Sequence, residues 1–341
     1  METLPEVFML KKYREENMKI AITGENGFIG KNLSKSIENK GHEFVSLNNS
    51  SLKKIQTGET CVHRNSAEDW ANLIQENGVD LIVHNAATVG TDVVALNPVE
   101  SINTNILGTQ IIVDAANKCN IPVLYTGTTV IYDTYKYQHA DITEKSDIFP
   151  RTNYAIQKYS GEMIVRNNAN SWLVARPLFA YGGTGDMNSL ISKTLYAIKN
   201  NKDSIEMFLD QEKIKDYMHV TDFCNAVVNL ISTGVRNEDF NIAANNPYNT
   251  REIVDMMSNV VNQDVSRIIN WNPQNDYLGN HRLTSEKYIN IVGKLETISL
   301  KKGIEQAWKS IKNDNTDFNP LKYLDEAKKE GVNLKNFFPT L

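Results

Sequence analysis

The stretch ITGENGFIGKNL, residues 22–33, constrains this chain more than any other, because three glycines, Gly24, Gly27 and Gly30, recur at a strict spacing of three. Ahead of them Lys19 to Thr23 alternates as a strand does. Behind them Ile29, Leu33 and Ile37 fall four apart, on one face of a helix. Unpaired N–H groups and the positive end of a helix dipole make such a strand-to-helix turn a ready site for a phosphate. Tight packing of the turn alone gives the same spacing, so the glycines need support from the rest of the chain.

That support is an alternation of elements. Phe44, Val45 and Leu47 mark a second strand, and VDLIVHNAA (79–87) is the continuous apolar run of a strand buried on both faces. Ile102, Ile106, Ile112, Val113 and Ala116 keep helical spacing between Glu100 and Cys119. IPVLYTGTTVIY (121–132) reads as a strand, Tyr154 to Val165 as a helix, and SWLVARP (171–177) as a strand. This order predicts an α/β fold, a Rossmann-type doubly wound parallel sheet with right-handed crossovers. The dinucleotide-binding domain spans residues 18–178, with 215–245 returning to it as a strand and a helix. A smaller mixed substrate lobe takes 179–214 and 246–341, including the tail. Ligands of such sheets bind beyond the carboxyl ends of the strands, where the glycine turn, HNAAT, GTT and RPLFAYG all fall.

A net charge of -5, with no Lys/Arg cluster beyond pairs such as Lys53–Lys54, leaves no basic footprint for nucleic acid. No apolar run approaches the roughly 18 residues of a membrane span. Cys61, Cys119 and Cys224 are scattered and lack metal-ligand spacing, which predicts reduced thiols in a cytoplasmic protein and no metal site. Residues 1–17 carry neither a signal-like apolar core nor an Arg/Ser bias and read as an N-terminal extension.

Tyr154 and Lys158 stand four apart on a helix, so both project from one face. A phenol titrates near 10 in water. An ammonium beside it stabilises the phenolate and makes tyrosine a usable acid/base. Thr128, at the end of its strand, supplies a hydroxyl for the same substrate oxygen. A second Tyr-x-x-x-Lys match, Tyr132–Lys136, sits where a β-rich run ends and lacks a helix to project from. His84 and His219 lie in apolar segments and read as core histidines.

These motifs resemble those of the extended short-chain dehydrogenase/reductase family, in its nucleotide-sugar epimerase/dehydratase branch, over residues 18 to 310. TGENGFIG resembles the cofactor loop, HNAA the strand-four motif, NILGT the helix-four motif and TGTTVIY the active-site strand. YAIQK resembles the Tyr/Lys pair, RPLFAYG the strand-six motif and DYMHVTD a later strand. The resemblance implies Thr128, Tyr154 and Lys158 as catalytic residues. It implies NAD or NADP held by Gly24, Gly27, Phe28, Ile29, Gly30, Asn48, Ala86, Ala87 and Asn105 together with Tyr154 and Lys158. It also implies a homodimer through helices near 100–118 and 152–168.

Departures from the family pattern narrow the chemistry. Asn48 stands where an acidic residue accepts from the adenosine ribose of NAD, with Ser50, Ser51, Lys53 and Lys54 nearby, which leans toward NADP or dual use. Val62 or His63 replaces an aspartate near the adenine. Thr129 and Val130 follow Thr128 where dehydratases resemble one another in an Asp-Glu pair, so dehydration and decarboxylation are disfavoured. A 4-epimerase and an NADPH-dependent 4-ketoreductase of nucleotide sugars remain; a non-catalytic NAD(P)-binding scaffold and a reductase outside sugar metabolism are the other readings. On the substrate side the resemblance points to Thr88, Thr129, Phe179, Asn188, Phe208, Lys215 and Asp276. Lys215 replaces an arginine as a point charge without its fork, and Asp276 lacks its arginine companion because Pro273 stands there.

Overall fold

Apolar strands alternating with amphipathic helices build one parallel sheet. The computed structural model describes residues 17–47, 62–276 and 278–329. β1 (Lys19–Thr23) turns through the glycines into α1 (Phe28–Asn39), followed by β2 (Glu43–Leu47), α2 (Ala67–Asn77) and β3 (Leu81–His84). Helical backbone then runs through α3 (Thr91–Leu96), α4 (Pro98–Ile102), a π turn (Asn103–Leu107) and α5 (Gly108–Cys119) to β4 (Val123–Thr126). α6 (Asn153–Asn168) leads to β5 (Trp172–Pro177) and the short β6 (Ala180–Tyr181). Next come α7 (Leu190–Lys199), β7 (Ile205–Met207), β8 (Ile214–Lys215), β9 (Met218–His219), α8 (Val220–Ser232) and β10 (Glu238–Ile242). The chain continues through β11 (Tyr248–Asn249), α9 (Thr250–Val261), β12 (Ile269–Trp271), α10 (Glu286–Val292), α11 (Leu300–Lys312) and α12 (Lys322–Lys329).

The six strands of the main sheet lie in the order β10-β5-β4-β3-β1-β2, every neighbour parallel. β3 and β4 are buried at every position, the state their apolar runs require. α1 and α8 cover one face around Leu33, Ile37, Phe223 and Val227. Trp70, Ile74, Ile112 and Ala116 of α2 and α5 cover the other. Each such fully buried Leu or Ile contributes about 1.5–3 kcal/mol. A second apolar cluster, around Leu195, Ile253, Met257 and Ile304, joins α7, α9 and α11 to the paired β7 and β12.

Two local expectations change. The strand at 215–219 does not enter the main sheet, because β8 pairs with β11 and β9 with β6. What returns to the first layer is α8, packed on α1, and β10, which extends the sheet beside β5. The helix expected from 100 to 119 contains the π turn, a widening of the backbone that recurs at functional sites. Among the described residues no helix is long and apolar enough to cross a membrane. Cys119 and Cys224 are free thiols, and Cys61 lies outside the described residues.

Candidate active site

The glycine turn forms the floor of a cleft. Gly24 adopts φ +75°, and a Cβ there would fall 2.8 Å from Ala86 Cα and N. A Cβ on Gly30 would lie 2.2 Å from the Gly24 carbonyl oxygen. Backbone therefore meets backbone across the strand ends, and α1 starts with no side-chain cap, its first-turn N–H groups left for an anion. Gly24, Gly27, Phe28, Ala86 and Ala87 line this cleft, with Leu47, Val62 and Trp70 as an apolar wall. The cradle fits the pyrophosphate and adenine of a dinucleotide. Trp70, whose Nε1 donates to the Val62 carbonyl at 3.2 Å, carried no motif and was found only by its placement. Asn48 and the Ser50 to Lys54 segment lie outside the described residues. Gly30→Ala is expected to displace the turn, weakening dinucleotide binding by about 10–100-fold, as overpacking costs about 1–3 kcal/mol; a fluorescence titration with NADH checks it.

Asn105 sits within the π turn and holds the loop after β3. Its Oδ1 accepts from the Thr88 N–H at 2.7 Å; its Nδ2 donates to the Thr88 carbonyl at 3.0 Å and to Gln157 Oε1 at 2.9 Å. Gln157 in turn donates to Ser101 Oγ at 2.9 Å, which ties α6 to α4. Thr88 thus lies on the wall of the glycine-floored cleft rather than among the substrate-side residues.

Tyr154 and Lys158 project from α6, whose start is fixed by Thr152 accepting from the Ala155 N–H. Thr128, Thr129 and Tyr154 line a second cleft that meets the first at Phe28 and Ile29. Lys158 is buried behind that wall, its Nζ 4.2 Å from the centre of the Tyr125 ring. The ammonium's expected pull on the phenol does not show here. Burial pushes Tyr154 up to about 12, opposed by the nearby Thr128 hydroxyl. Burial pushes Lys158 down to about 7, opposed by the Glu162 carboxylate one turn along α6.

Lys158 therefore loses its proton in the folded chain at a pH where the unfolded chain keeps it, so its contribution to stability rises with pH above about 7. Relative to Lys158→Met, the wild-type protein is expected to gain stability between pH 7 and pH 10, by up to about 1.4 kcal/mol per unit. Urea unfolding of both proteins across that range is the check.

The competing pair is not a site. Tyr132 is buried, its hydroxyl donating to Asn241 Oδ1 and accepting from Arg176, whereas Lys136 is exposed and pairs with Asp147. His84 is a core histidine, bonded to Thr23 Oγ1 at 2.7 Å and Thr109 Oγ1 at 3.1 Å; burial first, then Lys158, lowers it to about 3. His219 accepts from the Thr221 N–H at 3.4 Å and packs edge-on against Tyr181.

The second cleft brings together Phe179, Asn188 and Phe208 with the Thr128 and Tyr154 wall, and Lys215 borders it. Lys215 is no exposed lysine. It is buried, its Nζ 3.2 Å from Asp276 Oδ2 and 2.7 Å from the Gly279 carbonyl. Asp276 is spent the same way, accepting also from the Asp210 N–H at 2.9 Å and the Leu278 N–H at 3.0 Å. The two residues expected to meet a diphosphate and a ribose thus complete one another, and Asp276 does not reach the cleft surface. Lys193 of α7 is the cleft cation that sequence reasoning missed, 3.6 Å from Asp92. Its signal was weak: one lysine on an otherwise apolar helix face.

The model of the NAD dependent epimerase/dehydratase family matches residues 20–243, from β1 through β10. The chain belongs to that family. This epimerase/dehydratase-family enzyme is 28% identical over 251 residues to GDP-6-deoxy-D-talose 4-dehydrogenase of Aggregatibacter actinomycetemcomitans, covering 71% of this chain and 80% of that one. It is 23% identical over 357 residues to an Escherichia coli dTDP-glucose 4,6-dehydratase, covering 85% and 98%. Its fold is similar to that of RMD from Pseudomonas aeruginosa solved with NADPH, at TM-score 0.72 and 19% identity over 87% of this chain and 100% of that one. UDP-glucuronic acid 4-epimerase from Bacillus cereus superposes equally, at TM-score 0.72 and 20% identity over 86% and 99%.

Proposed function

We propose that this family member moves a hydride at C4 of a nucleoside-diphosphate sugar, with 4-epimerisation as the reaction. The observation that supports this most is the position of Tyr154 and Thr128 on the wall of the second cleft, which adjoins the glycine-floored cleft at Phe28, Ile29, Val89 and Asn188. A bound NAD(P) would accept the hydride and return it. Thr128 holds the sugar hydroxyl, and Tyr154 takes its proton as the carbonyl forms and gives one back when the hydride returns. Lys158 stands behind the phenol, and when protonated its charge would favour the phenolate that the oxidising half requires. The transient ketone rotates in a cleft walled by Phe179 and Phe208, whose apolar faces leave a sugar ring free to turn. Thr129 and Val130 place no carboxylate beside Thr128 for eliminating water.

The relatives support the substrate class: one is named for a GDP-sugar and another for a dTDP-sugar, and the 4-epimerase structure was solved with a UDP-sugar. With Lys215 held by Asp276, Lys193 becomes the residue that meets the diphosphate by exchanging Asp92 for phosphate. One-way reduction of a 4-keto sugar is the second reading. It is favoured by the Tyr154 phenol, which keeps its proton well above neutral pH as a donor to a ketone must.

The same proposal includes a cytoplasmic homodimer. Val99 of α4, Leu107 of the π turn and Ile156 of α6 are apolar yet 71%, 47% and 47% exposed, on the helices that would pair. Light scattering gives the mass directly, a monomer overturning that part. The reaction is tested by denaturing the purified protein, identifying any released nucleotide, and following C4 configuration of UDP-, GDP- and dTDP-hexoses by NMR. Retained NAD with C4 inversion supports the epimerase. An empty protein that consumes NADPH only with a 4-keto sugar establishes the reductase, and inertness toward every sugar nucleotide overturns both.

A further inference from the structure

Two elements bring opposite charges into the second cleft, and neither charge is fully committed. Lys193, in the first turn of α7, and Asp92, at the start of α3, both line the cleft with side chains only 13% and 9% exposed. Nζ and Oδ2 stand 3.6 Å apart, an ion pair too long for a hydrogen bond. Among the described residues the Lys193 ammonium has no hydrogen-bond acceptor, so its donors are left for the cleft. The carboxylate is held in place. Its Oδ1 accepts from the Val93 N–H at 3.0 Å, and a Cβ on Gly90, which adopts φ +105°, would lie 2.8 Å from that oxygen. The neighbouring carboxylate, Asp186, is committed elsewhere. It accepts from the N–H groups of Asn188 at 3.1 Å and Ser189 at 3.0 Å, and from the Ser189 hydroxyl. Asp92 Oδ2 therefore faces Lys193 as its one partner among the described residues.

We propose that Asp92 is a built-in competitor for Lys193, holding the ammonium in the empty cleft, weakening the grip on the diphosphate, and retaking the ammonium as product leaves. The inference rests on the reading of Lys193 as the diphosphate contact. A phosphate oxygen that draws in Nζ has to replace Asp92 as its partner. Apparent affinity then falls by the fraction of molecules in which the lysine is already unpaired. Once the lysine turns, Asp92 stays behind as a buried negative charge beside the incoming anion and repels it. Both side chains are largely buried, so salt screens this competition little. The arrangement suits a reaction at C4, because the diphosphate is the same before and after it. Holding the diphosphate more tightly is uniform binding, which lowers KM without raising kcat. A competing carboxylate therefore leaves the chemical step alone and hastens release.

Calorimetric titration of UDP, GDP and dTDP into the full chain reads the competition directly. Asp92→Asn keeps an oxygen for the Val93 N–H and removes the charge. It is expected to bind the preferred nucleoside diphosphate about 10-fold more tightly than wild type, a usual size for coupling between two groups. Lys193→Met is expected to bind it at least about 10-fold more weakly, as the loss of a hydrogen bond to a charged group implies. In turnover, Asp92→Asn should lower KM without a gain in kcat. A carboxylate that instead positions the lysine for phosphate predicts the opposite sign. Unchanged or weaker binding in Asp92→Asn protein that melts like wild type therefore overturns the proposal, as does a raised KM. If Asp92→Asn does not fold, Asp92→Ser is measured in its place; failure of both to fold makes the carboxylate a structural one and overturns the proposal. Binding indifferent to Lys193→Met overturns the inference together with the place of Lys193 at the diphosphate. Binding of none of the three overturns it together with the nucleotide-sugar reading. The expected tightening and weakening without turnover of any sugar nucleotide sustain the inference and overturn only the proposed reaction.

Discussion

Tyr154→Phe is expected to reduce turnover by about 10³-fold or more while leaving both clefts able to bind, because positioned acid–base catalysis contributes about 10²–10⁴-fold. The substitution removes one hydroxyl and keeps the ring on the cleft wall. Thr128 and Lys158 remain, but Thr128 has no charge to lend, and Lys158 is buried behind the wall rather than open to the sugar. The loss should fall on kcat, since the proton moves only as the carbonyl forms or disappears. A steady-state assay beside an NADH titration separates the two effects. Unchanged turnover would remove Tyr154 from the chemistry; lost NADH binding would show that the ring, rather than the hydroxyl, is what the site needs.

The second large effect is on stability. Arg176→Met is expected to cost about 3–5 kcal/mol, the usual penalty for leaving one charge of a buried pair uncompensated. Arg176 is 1% exposed on β5, and its guanidinium meets Glu162 twice, Nε to Oε2 at 2.9 Å and Nη2 to Oε1 at 2.6 Å. Nη2 also lies 2.7 Å from Asp239 Oδ2, and Nη1 donates to the Tyr132 hydroxyl at 2.7 Å. Without the arginine, Glu162 keeps a partly exposed Arg166, at 3.5 Å, and the more distant Lys158 one turn back on α6. Because proteins are stable by only about 5–15 kcal/mol, the variant should melt far below wild type. Arg176→Met with Glu162→Gln should recover part of the loss, since the orphaned charge is then gone. Denaturant unfolding of the single and double variants gives the coupling directly. A single-variant loss below about 1 kcal/mol would mean that water or a rearranged Asp239 replaces the guanidinium.

The features that could be read from the chain are those set within one element or one turn. The strand-glycine-helix unit at 19–39 and the all-buried β3 and β4 follow from backbone periodicity and burial. So does the common face of Tyr154 and Lys158, because neighbours a turn apart on a helix stay neighbours in any fold. The preference for Tyr154 over Tyr132 was legible for the same reason: one lies on a helix and the other does not. Where position depended on which element packs against which, the chain was silent. Lys215 and Asp276 are 61 positions apart and read as two ligand-facing groups until the fold closes them into one buried pair. Lys193 and Asp92, Glu25 and Ser46, and Arg176 with Glu162 and Asp239 likewise meet only across elements. The π turn that aims Asn105 has no glycine or proline to announce it and arises where α4 and α5 pack on α6. The sequence by itself determined the strand-glycine-helix unit and the common helix face of Tyr154 and Lys158, because each rests on local geometry. Only the tertiary structure decided which charges stay available to a ligand and which neutralise one another, because a charge's partner is whatever the fold brings within hydrogen-bonding distance.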